Sequence, residues 1–180
     1  MKFIYKNIFL ILLLVFSFSL PFCKEKKTFK SQENIIKYKE PLIRANKSLL
    51  ENDIREINSF CKRKKWDISE TQTGLRYSIY KKGKGIKAET GKIATIRYKV
   101  SLLNGRLCYS SDSLGLKSIK IGYEPIEKGL LEGILLMHEG DKAHLILHPG
   151  LAYGLIGDEK RIPPRSTIVY DVELVAVTDN

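Results

Sequence analysis

The sequence predicts an α+β domain, an antiparallel sheet wrapped around one short helix and preceded by an amphipathic helix. Three observations carry this. Apolar residues recur at three- and four-residue spacing up to about Lys64 and at two-residue spacing from Gly74 onward, the change that separates a helix from a half-buried sheet. Asn104-Gly105 stands between two alternating runs, where both residues accept the positive φ of a type I′ hairpin turn. One short helical stretch, Lys128 to Leu135, interrupts the strands, which suits segregated α+β packing.

In chain order, Lys2 and Lys6 precede an uncharged apolar run, Ile8 to Phe22. That run is short for a membrane span of roughly 20 residues and has the layout of a secretory signal. It ends at Cys23, and the polar run Lys24-Glu25-Lys26-Lys27 follows. This arrangement looks like a lipoprotein signal over residues 1–22, with Cys23 as the acylated residue; Leu20 fits that pattern and bulky Phe22 departs from it. An uncleaved signal anchor and an ordinary secreted protein remain open. All three readings export the chain, and the first places it in the cell envelope, lipid-anchored to a membrane and facing the periplasm.

Residues 23–40 are rich in Lys, Glu and Ser and read as a basic tether. Residues 41–72 read as a helical extension: from Leu42 to Lys64 the stripe Ile43, Leu49, Leu50, Ile54, Ile57, Phe60 and Cys61 needs a surface to cover it. Packing onto the following domain, together with Trp66, is the simpler expectation; self-association or partner binding is the other. Residues 73–180 form the sheet domain. Its strand-like runs are Leu75 to Ile79, Ile93 to Leu103, Arg106 to Tyr109, Ser118 to Ile121, Ala143 to His148 and Thr167 to Val177. Lys82-Gly83-Lys84-Gly85 and Pro163-Pro164 punctuate them.

Composition narrows the function. The net charge of +11 would suggest nucleic acid in a cytoplasmic protein, but an exported chain seldom meets any, and no aromatic ladder accompanies the basic runs. Those runs, Lys62 to Lys65 and Lys81 to Lys84, read as solvated surface, with an anionic membrane face as the alternative. Cys61 and Cys108 could bridge in an oxidising compartment, though the reading favours two free thiols. His138, His144 and His148 lack the partners that would complete a ligand set, so neither metal nor cofactor is expected. No nucleophile motif, phosphate loop or metalloprotease motif occurs.

The run Leu151-Ala152-Tyr153-Gly154, then Ile162-Pro163-Pro164 and Tyr170-Asp171-Val172-Glu173-Leu174, read with Tyr98 and Gly129 to Gly133, resembles the FKBP-type peptidyl-prolyl isomerases. The resemblance covers Thr73 to Val177. It implies a pocket walled by Tyr98, Ile126, Ile162 and Tyr170, a Tyr153 hydroxyl that contacts the bound chain, and a substrate carbonyl held by the backbone N–H of Glu127. Tyr98 and Tyr153 would carry catalysis. Cys108 stands where an aromatic wall residue is usual, Tyr109 where an Asp is, and Leu130 where a Trp forms the floor. The acylated N-terminus, Asn46 to Glu51, Trp66, Thr73 to Tyr77, Cys108 to Gly115 and Met137 to Asp141 are most similar to gliding-motility-associated isomerase lipoproteins. That implies proline-containing exported or envelope proteins as partners, among them those of gliding or secretion machinery. A proline-binding module without turnover, and a structural lipoprotein docking through its N-terminal helix, are the rival readings. The sequence leaves the oligomeric state open.

Overall fold

The computed structural model describes residues 29–179; the predicted leader and Cys23 lie outside them. Helix α1 spans Phe29–Lys64. It is followed by strands β1 (Ser69–Glu70), β2 (Arg76–Lys81), β3 (Ile93–Leu102) and β4 (Leu107–Ser110), a short helix α2 (Ser111–Leu114), and strand β5 (Lys117–Lys120). Helix α3 (Lys128–Leu135), β6 (Lys142–Leu147), a 3-10 turn at Pro149–Leu151 and β7 (Ile168–Thr178) complete the order.

Helix α1 begins well before Leu42, so the tether expected over residues 23–40 is helical from Phe29 on. Its Lys, Glu and Gln are good helix formers, while their scarcity of apolar neighbours hides the period. Pro41 lies inside the helix, where its missing N–H leaves one rung of the ladder unmade. By Cα packing the chain divides at residues 46 and 47 into two compact units. In the first, Leu42 and Ile43 are exposed.

The second unit holds the sheet, in the order β1-β2-β6-β7-β3-β4, with β5 also paired to β3. Every pairing is antiparallel. Strand β7 pairs along its length with β3 on one side and, from Ile168 to Glu173, with β6 on the other. The opposite edge of β3 is shared: β5 takes Ile93 to Ile96 and β4 takes Lys99 to Ser101. Between them the N–H of Tyr98 donates to Ser111 Oγ at 3.1 Å, so the gap in the ladder is filled by a side chain.

Alternation sends Ala94, Ile96, Val100, Ala143, Leu145, Leu147, Tyr170, Val172 and Leu174 to the inner face, all buried. Helix α3 lies there, with Leu130 and Ile134 fully buried. It approaches closely because Gly129 and Gly133 face Leu147 and Leu145, where a Cβ would come within 2.5 and 2.4 Å of side-chain carbons. The outer face carries a smaller core in which Ile57 and Phe60 of α1 cover Ile146 and Val169, joined by Cys61, Trp66 and Ile68. Burying Ile57 and Phe60 contributes about 1.5–3 kcal/mol each. The helical stripe is thus only partly covered, since Leu49, Leu50 and Ile54 remain exposed. Arg165 anchors the same helix: its Nη2 lies 2.7 Å from both carboxylate oxygens of Asp53.

The hairpin at Asn104-Gly105 differs from the type I′ expectation. Gly105 has φ 88° while Asn104 is absent from the left-handed region. Gly105 donates to the Leu102 carbonyl at 2.9 Å and Leu102 to that of Arg106 at 3.0 Å. A type I turn closed by a left-handed Gly therefore makes a three-residue loop. Asn104 Oδ1 accepts from Arg106 N–H at 3.0 Å, a local bond that favours this form.

Candidate proline-binding site

The inner face of the sheet and the N-terminal end of α3 enclose a cavity of about 170 Å³ lined by Ile96, Tyr98, Val100, Tyr109, Lys117, Glu127, Leu130, Tyr153 and Tyr170. Strand β3 supplies Tyr98 and β7 supplies Tyr170; their ring centroids are 6.4 Å apart, inclined at 49°. Leu130, one residue into the helix beyond Gly129, forms the fully buried floor. Tyr153 follows the 3-10 turn, whose start is capped by His148 Nδ1 accepting the Gly150 N–H at 3.1 Å.

Of the eight predicted substrate-binding residues, Tyr98, Tyr109, Glu127, Leu130, Tyr153 and Tyr170 converge here. Ile126 and Ile162, expected on the wall, do not line the cavity. Ile126 is half-buried against the core, and Ile162, only 2 % exposed, sits within it. Beside it, Asp158 Oδ1 accepts the N–H groups of Lys160, Arg161 and Ile162 at 3.0, 2.9 and 2.7 Å, wrapping the loop around itself. Ile162 instead borders a separate surface cleft with Arg106 and Pro163.

Tyr109 has a definite role in this arrangement. Its hydroxyl donates to Asp158 Oδ2, and Arg161 lies 5.3 Å from its ring centre. That hydrogen bond, reinforced by burial, raises the Tyr109 hydroxyl above the ordinary range. Burial alone would raise the Asp158 carboxyl, but the Tyr109 hydroxyl and the loop N–H groups outweigh it and hold it at about 2. Cys108 is buried behind this loop, with Sγ 3.5 Å from the Arg161 carbonyl, and both it and Cys61 are free.

Glu127 contributes more than the expected backbone N–H. It caps α3 without a side-chain bond to its own helix, and its carboxylate turns into the cavity. There Oε1 accepts the Tyr153 hydroxyl and, at 3.0 Å, the Tyr170 hydroxyl. Burial first, then the neighbouring carboxylate, raises both phenols well above their usual range. Both therefore stay neutral donors at any ordinary pH. Lys117, Ile96 and Val100 also line the cavity and were not anticipated; β3 and β5 pair Ile96 directly with Lys117.

The three histidines are dispersed. His144 is stacked between Trp66 and Tyr80 on the outer face, with centroids 3.8 and 4.4 Å away; His148 caps the 3-10 turn, and His138 Nδ1 is 3.8 Å from Asp141. Among the described residues no group of three or more His, Cys, Asp or Glu could hold a metal ion.

Residues 84–175 match the model of the FKBP-type peptidyl-prolyl cis-trans isomerase family. A probable FKBP-type peptidyl-prolyl cis-trans isomerase of Haemophilus influenzae is 31 % identical over 162 residues, covering 86 % of this chain and 65 % of that protein. FK506-binding protein 1 of Dictyostelium discoideum is 34 % identical over 103 residues, 57 % of this chain and 96 % of that one. The crystal structure of FkpA from Escherichia coli superposes with a TM-score of 0.63 at 26 % identity, covering 97 % of this chain and 82 % of that one. The chain spans less than two thirds of the length of the Haemophilus relative and 60 % of FkpA from Buchnera aphidicola (strain Bp).

Proposed function

The chain belongs to the FKBP-type peptidyl-prolyl cis-trans isomerase family, and on that premise we propose that it catalyses cis-trans isomerisation of X–Pro bonds in other proteins. The observation that carries this reading is the convergence of Tyr98, Tyr109, Tyr153 and Tyr170 over Leu130 around one cavity. Isomerisation breaks no covalent bond; its barrier of about 18–20 kcal/mol is the lost amide resonance. Water stabilises the polar planar amide, so an apolar floor and aromatic walls that exclude water lower the cost of twisting. Donors that fit the twisted carbonyl better than the planar one supply the differential binding, and each factor of ten requires about 1.4 kcal/mol. Tyr98 and Tyr170 wall the proline ring, Leu130 supports it, and the Glu127 N–H and Tyr153 hydroxyl are the donors.

The test is the cis-to-trans rate of a proline peptide, and the refolding of a proline-limited protein, with the purified protein and its Tyr98→Ala and Tyr153→Phe variants. Acceleration that both variants reduce supports the enzyme and its site. No acceleration, with proline peptides still bound, leaves a binding module. One observation favours that second reading: the Tyr153 hydroxyl is already engaged by Glu127.

The biological setting is part of the same proposal. Acylation of Cys23 would tether the isomerase to a membrane facing the periplasm, with proline-containing exported or envelope proteins, among them components of gliding or secretion machinery, as clients. The support is the pattern Lys2, Lys6, apolar run, Cys23. Incorporation of labelled palmitate that disappears in Cys23→Ser supports it; a protein that remains unlabelled defeats the anchor.

A further inference from the structure

Proline and its amide carry no charge, yet the cavity that would hold them contains a carboxylate. Glu127 places Oε1 where Tyr153 and Tyr170 donate to it, and leaves Oε2 buried without a partner. A buried carboxylate oxygen with no donor is costly, and an incoming group that satisfies it gains more than the same group would in water. Lys117 lines the same cavity from β5, but no ion pair joins it to Glu127 among those of the described residues. The cavity therefore offers one carboxylate oxygen without a donor in a confined, mostly aromatic surrounding.

We propose that Glu127 makes this pocket selective for prolines flanked by a lysine or arginine, whose cation pairs with the free Oε2 while the proline ring rests on Leu130. The proposal rests on the proline-binding reading of the site and names its substrate class. A backbone N–H could also reach Oε2, but a cationic donor forms a charge-assisted bond roughly twice as strong as a neutral one. The rest of the molecule opposes such a substrate. With a formal net charge of +11 it repels basic peptides at long range, and salt screens that repulsion beyond about 8 Å at physiological ionic strength. Any preference for a basic flank must then be local, and Glu127 is the acidic residue of the cavity lining.

The experiment uses two series of chromogenic proline peptides, with Lys, Arg, Ala or Glu placed before the proline in one and after it in the other. Expected is a kcat/KM for the Lys or Arg peptide at least tenfold above that for Ala in one series, and lowest for Glu. In Glu127→Gln that ratio collapses to within about twofold, or inverts toward acidic flanks because Lys117 is left unopposed; in Lys117→Met it persists. Peptides turned over by the wild type with ratios near one overturn the proposal without touching the isomerase reading, as does a ratio that survives Glu127→Gln. The wild-type ratio is decisive even if that variant fails to fold. No turnover of any peptide refutes the isomerase instead, and the ratio is then read in Kd by fluorescence anisotropy. A tenfold preference there supports the selectivity; equal affinities, or no binding, end it.

Discussion

Replacing Gly129 by alanine should destabilise the domain, although the same change in an exposed helix stabilises it. A Cβ at this position would lie 2.5 Å from Leu147 Cγ, 2.9 Å from its Cδ2 and 3.1 Å from Leu151 Cβ. Optimal carbon contacts are about 3.5–4.0 Å, so all three pairs are compressed together. Leu147 is fully buried and Leu151 is 8 % exposed, which leaves neither side chain free space to turn into. Overpacking typically costs about 1–3 kcal/mol, and three simultaneous contacts against a branch carbon argue for the upper end. Alanine recovers about 1 kcal/mol of helix propensity. The net loss is then about 2 kcal/mol, a fall in Tm of roughly 4–8 °C for a domain of this size. Urea unfolding followed by the emission of Trp66, the single tryptophan, measures it directly. Because Leu130 and Glu127 adjoin the displaced turn, kcat/KM should fall as well. A variant as stable as the parent, or more so, would falsify the tight seat of α3 on β6, since the sign of the effect is itself the discriminating result.

Other outcomes follow from individual contacts. Tyr109→Phe removes the hydroxyl donor to Asp158 and should cost about 1 kcal/mol near neutral pH, discounted for solvent exposure. Because the folded Asp158 carboxyl sits at about 2, below its ordinary 3.8, its stabilisation is complete above about pH 4 and vanishes as pH falls through 2. Urea midpoints of parent and variant should converge over that window. His144 is held below its usual 6.5, by burial first and also by Lys64, with Asp171 opposing. Its contribution is therefore present above pH 6.5 and lost as pH falls through the lower folded value; His144→Phe should flatten the thermal-stability profile between pH 7 and 5, and an unchanged slope would refute the assignment. Arg165 has φ 53°, so Arg165→Gly should be about 1 kcal/mol more stable than Arg165→Ala, both lacking the Asp53 pair. Equal melting temperatures would show that the backbone there carries no strain.

The sheet and α3 were legible because their residues are buried on one face, and one-sided burial writes a period into the sequence. Leu145 and Leu147 alternate with His144 and Ile146 for this reason, although Ile146 turned out to face a second core beneath α1. The start of α1 was not legible, since a helix that shows no apolar stripe looks like a polar linker. Asn104-Gly105 signalled a hairpin correctly but not its turn type, which depends on whether Asn104 bonds to Arg106 locally. At the site, the four tyrosines could be anticipated only because they fall at positions of the FKBP-type pattern that the chain resembles. The loop that carries Ile162 could not be read, because it is shaped by Asp158 gathering three N–H groups, a contact no periodicity encodes. Nor could the aim of the Glu127 side chain be read. A charged residue before a helix ordinarily faces solvent, and only the two phenols from β7 and the 3-10 turn show that this one faces inward.

The strand order has a consequence for how the protein comes into being. Without β7, the strands fall into two groups that share no ladder, β1 with β2 and β6, and β3 with β4 and β5. The piece that welds them is β7, paired with β3 on one edge and with β6 on the other. Neither group is expected to persist alone, because each would present an unpaired edge and an uncovered apolar face. Until Ile168–Thr178 pairs on both edges the two groups are not one sheet, and Tyr170 has yet to meet Tyr98. Assembly of the sheet and assembly of the pocket thus become one event.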